Sequence, residues 1–466
     1  MGFFFTALYI LLAYLSPQQM IPDLAPYRPE LVLGILAVLT VLIESGFTGV
    51  WYRAPQVFVL AAFIASVAGS RVLNGWLGGG VYALMEFLPA AICFYLVAGA
   101  VKSLRKLQIL VAMMLFATLY MVTMSALSYY GIMRDPRFLF GLPKEEQAAL
   151  AAGGNDNASL SGFDATPIDD DQADESDDTL VQNDDQEGPV NIRILRARAL
   201  GFLNDPNDFA QFLITLIPLC FVWWRPGHKG WNFFTILLPC AYFCYGIYLT
   251  HSRGGIVGVA IVAALALRRK MGKFGLILLV LAMIGGMLAM NFSGGRSISV
   301  TSGSDRLSLW SAGLGMFKSS PIWGVGFGAF RDNAENTAHN SFILCLAELG
   351  IIGYCLWVLL LMLNVYQLRT LLSPETAEGL PVELRRAAEA VTLSFGGFLT
   401  TALFLSRSYI PTLYILLGFT VVLQRIAFGE KSDFPVFRVP RWTPVQAAAV
   451  ALASLPVFYV VVNIRR

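Results

Sequence analysis

The residues best placed to do chemistry are a histidine and several arginines that lie in polar loops beside long apolar segments. His339 ends a polar loop, and an apolar stretch begins directly after it at Ser341. The positive end of such a helix and nearby arginines disfavour the imidazolium, so the ring should stay neutral and able to take a proton from a hydroxyl. The helix end and the guanidinium groups also attract phosphate. This combination suits attack by a hydroxyl on a carbon whose leaving group is a phosphate or diphosphate, as in glycosyl transfer from a lipid diphosphate.

Three arginines, Arg193, Arg196 and Arg198, precede a second helix start. The stretch 204–208, Asn-Asp-Pro-Asn-Asp, can provide a capping side chain, a proline at the first helical position and an acid in the first turn. We predict catalytic roles for Arg196 and Arg198, without a choice between them, and a substrate-binding role for Arg193. Solvation or contact with lipid headgroups is the alternative for all three.

Two further outward loops carry candidate residues. His251, Ser252 and Arg253 form a tight turn between two apolar runs, where Arg253 either extends to the membrane interface or binds substrate. Arg306 begins a stretch in which apolar residues recur every three or four positions, which predicts an amphipathic helix that ends at Pro321. We predict catalytic roles for Arg253 and Arg306 and substrate-binding roles for His251, Ser252 and Asn340.

No metal or other cofactor is expected. The outer loops contain no Asp/Glu, His and Cys cluster with the spacing of metal ligands. All six cysteines lie within apolar runs, which indicates small buried side chains rather than a zinc site, a disulfide framework or a nucleophile.

Composition places these residues in an all-α polytopic integral membrane protein. The 466-residue chain is 56% hydrophobic and 14% charged, and apolar runs near the roughly 20 residues needed to cross a bilayer recur throughout it. We predict 12 or possibly 13 transmembrane helices, and whether the last one spans is left open. The predicted helices lie near 3–16, 30–45, 55–71, 82–101, 107–127, 209–224, 232–249, 254–267, 274–291, 340–363, 391–407, 410–426 and 443–462.

The predicted helices fall into three groups separated by two large loops. Residues 1–127, 209–291 and 340–466 are the N-terminal, central and C-terminal transmembrane helices. Residues 128–208 form a periplasmic loop with an acidic insert at about 153–189, where residues 155–188 hold twelve acids and no Lys or Arg. This insert has too few apolar residues to fold, which predicts disorder. Residues 292–339 form the periplasmic catalytic loop, since the basic residues of four other loops indicate a cytoplasmic location for those loops.

Several motifs resemble those of bacterial O-antigen ligases. His339-Asn340, nine residues and then Gly350-Ile-Ile-Gly353-Tyr is similar to the family signature, and Arg196-Ala-Arg198-Ala-Leu is similar to its Arg-x3-Leu motif. Ser252-Arg-Gly, the run 305–310 and the run 321–330 match features of the wider O-antigen ligase and polymerase superfamily. The resemblance covers roughly residues 190–360, and Gly350 and Gly353 are expected to pack helices.

The resemblance implies a GT-C-like glycosyltransferase of the bacterial inner membrane with a periplasmic active site. It would move a glycan from undecaprenyl diphosphate to an acceptor hydroxyl on lipid A–core, with inversion and without a metal. His339 would be the base, and the arginines would hold the diphosphate. An O-antigen polymerase or a protein O-oligosaccharyltransferase would share these motifs. A secondary transporter is a different class, and it would show paired broken helices and charged residues at the bilayer midplane.

Overall fold

The computed structural model describes residues 1–45, 50–133, 135–141, 180–181, 190–191, 195–267, 272, 274, 277, 300–429 and 440–463. Within these residues the chain is almost entirely helical. The described residues contain thirteen helices longer than a few turns: α1 Gly2–Leu15, α2 Pro29–Ser45, α3 Pro55–Leu73, α4 Leu77–Ala100, α5 Leu104–Tyr129, α6 Pro206–Trp223, α7 Lys229–Leu249, α8 Arg253–Leu267, α9 Val300–Ser319, α10 Ser341–Leu371, α11 Val382–Ala402, α12 Pro411–Phe428 and α13 Thr443–Asn463.

Short elements connect these helices. α6 ends in a 3-10 segment from Ile217, and α7 contains a π-helical stretch at Phe233–Leu237. The described strands are β1 Leu139–Phe140, β2 Leu180–Val181, β3 Val190–Asn191 and β4 Arg196–Ala197. β1 and β4 pair in antiparallel register, Leu139 with Ala197 and Phe140 with Arg196, and β2 and β3 form a second two-residue pair. The short helices of the described chain are Pro17–Met20, Pro22–Tyr27, Val50–Arg53, Pro136–Phe138, Gly201–Leu203 and Pro374–Ala377.

The predicted polytopic all-α membrane architecture is confirmed. Nine helices of the described chain are long and apolar enough to cross a membrane, and the apolar helices α1 and α8 are shorter. The predicted span 274–291 lies outside the described residues apart from 274 and 277, so the count of 12 or 13 remains a prediction. Of the acidic insert, the structure describes only β2, which pairs with β3. The remaining insert residues and Arg193 lie outside the described part, so the disorder of the insert stays a prediction.

α11 differs from the predicted span 391–407. Its buried face begins at Leu384, in a first turn whose charged residues Glu383 and Arg385 lowered the apparent hydrophobicity of the sequence. The helix ends at Ala402, and Pro411 starts α12. Residues 403–410 are therefore a connection between helices, and Arg407, which was predicted to lie in a membrane span, belongs to this connection.

α10 is broken at Gly350, whereas the sequence predicted one continuous helix. Gly350 adopts φ 61° and ψ −165°, a conformation open essentially to glycine alone. The segment 321–326 enters the break: Val325 and Gly326 donate their amides to the carbonyls of Ala347 and Glu348 at 2.9 and 3.0 Å. Ile351 beyond the break donates its amide to Pro321 at 2.9 Å. Backbone groups that a break would leave unpaired in an apolar environment are thus bonded within the protein.

The predicted helix-packing role of the two signature glycines takes a different form. A Cβ on Gly350 would lie 2.4 Å from the carbonyl carbon of Ile322, in the inserted segment. A Cβ on Gly353 would lie 2.3 Å from the Cβ of Leu349, on the other side of the same break. Both glycines therefore allow the break in α10, and their nearest neighbours belong to the inserted segment or to α10 itself.

Candidate active site

A cavity of about 380 Å³ lies at the start of α10. One part of the lining consists of residues between 327 and 348, and we call it the motif wall because it includes His339. A second part consists of residues between 198 and 208 together with 405–409, and we call it the second wall. Phe140 of β1 also lines the cavity.

His339 is held at the cavity by the start of α10. Asn340 is the N-cap of that helix, and its side-chain oxygen accepts hydrogen bonds from the amides of Phe342 and Ile343 at 2.9 and 3.1 Å. His339 itself has φ 46°, a left-handed conformation that costs a non-glycine residue about 1–3 kcal/mol. The location of His339 directly before the helix is confirmed. Asn340 is absent from the described residues that line the cavity, and its observed contacts are those of a helix cap.

Arg198 and Arg196 have different hydrogen-bond partners, although both guanidinium groups lie over the ring of Phe140. Arg198 lines the cavity, and its guanidinium donates to the backbone carbonyls of Arg137 and Pro136 at 3.2 and 3.4 Å. Arg196 is absent from the described lining: its guanidinium donates to the Thr250 carbonyl and to Asn207 Oδ1, both at 2.9 Å. Of the two arginines that the sequence could not separate, Arg198 is therefore the one that lines the same cavity as His339.

The remaining predicted site residues lie outside the described lining of the cavity. His251 has φ 49° and its Nε2 lies 3.0 Å from the Tyr129 hydroxyl. Ser252 Oγ accepts a hydrogen bond from the amide of Gly255 at 3.1 Å. Ser252 therefore caps α8, whose first residue is Arg253. Arg306 is exposed on α9, the helix predicted from the amphipathic pattern. The roles assigned to these residues remain predictions.

Two arginines, Arg331 and Arg407, and three acids, Asp205, Asp208 and Glu348, also line the cavity, although the sequence reasoning did not select them as site residues. Arg407 forms an ion pair with Asp208, which follows the N-cap Asp205 in the first turn of α6. Burial lowers the pKa of Arg407 to about 10 against the opposing effect of Asp205, which leaves the guanidinium charged at neutral pH. Arg331 is exposed at the motif wall, and Glu348 is buried there.

The buried Glu348 is partly held by backbone. Its Oε1 accepts the amide of Phe330 at 3.3 Å. Burial raises the pKa of Tyr409, and the neighbouring Glu348 carboxylate raises it further through its charge and a side-chain contact. This contact lies outside ordinary hydrogen-bond geometry, so neither Glu348 Oε2 nor the Tyr409 hydroxyl has a well-formed hydrogen bond in the described structure. Tyr409 packs on Phe327 with ring centroids 4.7 Å apart.

The glycine-rich turn of the motif wall is fastened by the end of α3. Arg71 donates its Nε–H to the Phe327 carbonyl, Asn74 donates to the Gly324 carbonyl at 2.9 Å, and Ser70 Oγ accepts the Phe327 amide at 3.0 Å. The turn is thus more than the bend predicted from its glycines, because it is clamped by α3 on one side and inserted into α10 on the other.

These arrangements can be compared with known families. Residues 238–358 match the family model Wzy_C, described as O-antigen ligase. The match supports membership of the O-antigen ligase and polymerase superfamily. The resemblance inferred from the histidine signature is therefore confirmed at this level. No curated protein matches the chain.

The superfamily match covers the motif wall but not the second wall. His339, Arg331, Glu348 and Gly350 lie within the matched residues, while Arg198, Asp208, Arg407 and Tyr409 lie outside them. The proteins of this family are glycosyltransferase-like enzymes, with a lipid-linked glycan donor and an acceptor as substrates.

Proposed function

We propose that this protein is an O-antigen ligase that moves a glycan from undecaprenyl diphosphate to a hydroxyl of lipid A–core. The reaction takes place at the periplasmic face of the inner membrane and needs no metal. The observation that carries the proposal is the shared cavity, in which His339 lies with Arg198, Arg331 and Arg407.

The chemistry is a single displacement. The acceptor hydroxyl gives its proton to the imidazole of His339 as its oxygen forms a bond to the anomeric carbon. The bond from that carbon to the phosphate oxygen breaks, and its electron pair leaves with the lipid diphosphate. Arg198, Arg331 and Arg407 stabilise the charge that develops on the leaving group. The anomeric configuration is inverted because attack and departure occur on opposite faces.

The arginines of the cavity are held in fixed positions by other groups of the protein, which suits them to stabilise a leaving group. Arg407 is already paired with Asp208, and Arg198 is held against two carbonyls. Guanidinium groups fixed in this way need little reorganisation when negative charge develops beside them.

An O-antigen polymerase and a protein O-oligosaccharyltransferase would use the same chemistry with other acceptors. Accumulation of long lipid-linked polymer in a deletion strain indicates the ligase, and accumulation of single-repeat glycan indicates the polymerase. A transporter gains no support from the break in α10, because the carbonyls of Ala347 and Glu348 are bonded to the inserted segment instead of facing an ion.

The proposal is tested by His339→Ala in cells and in proteoliposomes. We expect transfer to be abolished with normal expression and membrane insertion, since the general base is lost. His228→Ala is the matched control, because His228 is an exposed histidine in the connection before α7. Near-wild-type transfer by His339→Ala would refute the mechanism, and activity lost to a chelator and restored by a divalent ion would refute metal independence.

A further inference from the structure

Several residues that line the cavity carry buried polar atoms without a hydrogen-bond partner. In the described structure there are five such side-chain atoms. One of them, Asp208 Oδ2, is in the ion pair with Arg407, and the other four are Glu348 Oε2, Ser406 Oγ, Arg407 Nε and the Tyr409 hydroxyl. Buried polar groups are normally paired, and leaving one unpaired costs free energy. A cluster of such atoms lining one cavity therefore indicates a ligand that supplies the missing partners.

The mixture of atom types restricts the chemistry of that ligand. Arg407 Nε can only donate a hydrogen bond, a carboxylate oxygen such as Glu348 Oε2 accepts one, and the two hydroxyls do either. A diphosphate offers acceptors only and is repelled by a carboxylate. A ligand with several hydroxyls can donate and accept, and so it matches the whole set.

Apolar surface lies beside these atoms. Phe327, Phe330 and the ring of Tyr409 line the same cavity, and the rings of Phe327 and Tyr409 are in contact. Ligand sites commonly combine apolar walls with a few fixed polar groups that set orientation. A sugar ring has both an apolar face of C–H groups and hydroxyls at its edge.

We propose that Glu348, Ser406 and Tyr409 form a sugar subsite, in which Glu348 Oε2 and the Tyr409 hydroxyl bind hydroxyls of the sugar attached to the donor diphosphate. The inference rests on the proposed function, because Arg198 and Arg407 must hold the diphosphate beside this sugar. It assigns the sugar and the diphosphate of the donor to different residues of one cavity. Glu348 is buried to 3% exposure, so it contacts only what enters the cavity.

The test compares two lipids on the full-length purified protein. One is the lipid-linked glycan extracted from a strain that lacks this enzyme, and the other is undecaprenyl diphosphate without sugar. We expect Glu348→Gln and Tyr409→Phe each to weaken binding of the sugar-bearing lipid about tenfold and to leave binding of the sugar-free lipid unchanged. Glutamine keeps an oxygen for the Phe330 amide, so the substitution changes only the second carboxyl oxygen.

The matched control is Glu86→Gln, which alters a carboxyl in α4 that is exposed and absent from the described cavity lining; both affinities should equal those of the wild type. Equal weakening of both lipids by Glu348→Gln, together with a lower melting temperature, would show a structural role and overturn the inference. The inference would also be overturned if Glu348→Gln lost transfer activity but still bound the sugar-bearing lipid in preference to the sugar-free lipid as strongly as the wild type does. If the wild-type protein binds neither lipid, the proposed function fails instead.

Discussion

The two walls of the cavity are held in different ways. The motif wall is fixed by backbone: a glycine breaks α10, the segment 321–326 bonds to the freed groups, and the end of α3 holds the turn that follows. The second wall is fixed by side chains, above all the Arg407–Asp208 ion pair between the α11–α12 connection and α6. One wall is therefore sensitive to backbone conformation, and the other to charge.

The largest effect is expected from Gly350→Ala in the motif wall. A Cβ at this position meets the Ile322 carbonyl group at 2.4 Å, and φ 61° is unfavourable for alanine. We expect loss of most folded protein, measured by gel filtration in detergent. Gly69→Ala is the control, because a Cβ at that helical site meets no atom within 4 Å. A folded, fully active Gly350→Ala protein would mean that the break in α10 does not hold the wall.

Arg407→Gln tests the second wall and should have the next largest effect. It leaves the Asp208 carboxylate, which is 3% exposed, without its partner, at a cost of roughly 3 kcal/mol. We expect a lower melting temperature and at least a hundredfold loss of transfer. The double variant Asp208→Asn/Arg407→Gln should recover the melting temperature but not transfer, since the charge opposite the diphosphate is still missing. Recovery of both would restrict Arg407 to a structural role.

The difference between the walls also explains what sequence reasoning could find. A backbone break needs glycines at fixed distances from the histidine, so His339, Gly350 and Gly353 form a recognisable spacing within one segment. The N-cap Asp205 and the following Pro206 were also predicted, because a helix start likewise places characteristic residues next to one another in the sequence. An ion pair between residues 208 and 407 leaves no such spacing, because nearly 200 residues separate its partners.

Two further shortcomings of the sequence-based prediction, which concern Arg407 and the choice between Arg196 and Arg198, have local causes. Arg407 was placed within the predicted span 391–407, because the charged first turn of α11 shifted that span towards its C-terminus. Arg196 and Arg198 could not be separated because they lie two residues apart in the same short run before the predicted helix start, and nothing in that run distinguishes them. The pairing of β4 with β1 and the contacts with Thr250 and Asn207 decide between them. Arg331 could have been selected as a candidate site residue from the sequence, because it is an arginine in the same loop as His339.

A smaller effect is expected from Arg71→Gln, which loosens the motif wall from outside the cavity. The variant loses the bond to the Phe327 carbonyl and the contact with Asp332 at 3.9 Å, while Ser70 and Asn74 still hold the turn. We expect kcat to fall about tenfold, the energy of one charged hydrogen bond, with little change in KM for the donor. Arg53→Gln, at an exposed residue before the other end of α3, should change neither. An unchanged kcat for Arg71→Gln would show that Ser70 and Asn74 suffice.

The smallest effect is expected from the acidic insert, which neither wall uses. Residues 155–188 carry twelve acids, and their charge is repelled by an anionic membrane surface and by a diphosphate donor alike. Replacing them with a short Gly/Ser linker removes β2 and its pairing with β3, but it keeps β4 with Arg196 and also Arg198, which directly follows this strand. We expect transfer within a few-fold of wild type, measured in proteoliposomes at matched protein level. Since β4 is paired with β1 and not with β3, the position of Arg198 does not depend on the removed strand. Loss of transfer at normal protein level would mean that the acids dock on the enzyme or on a partner.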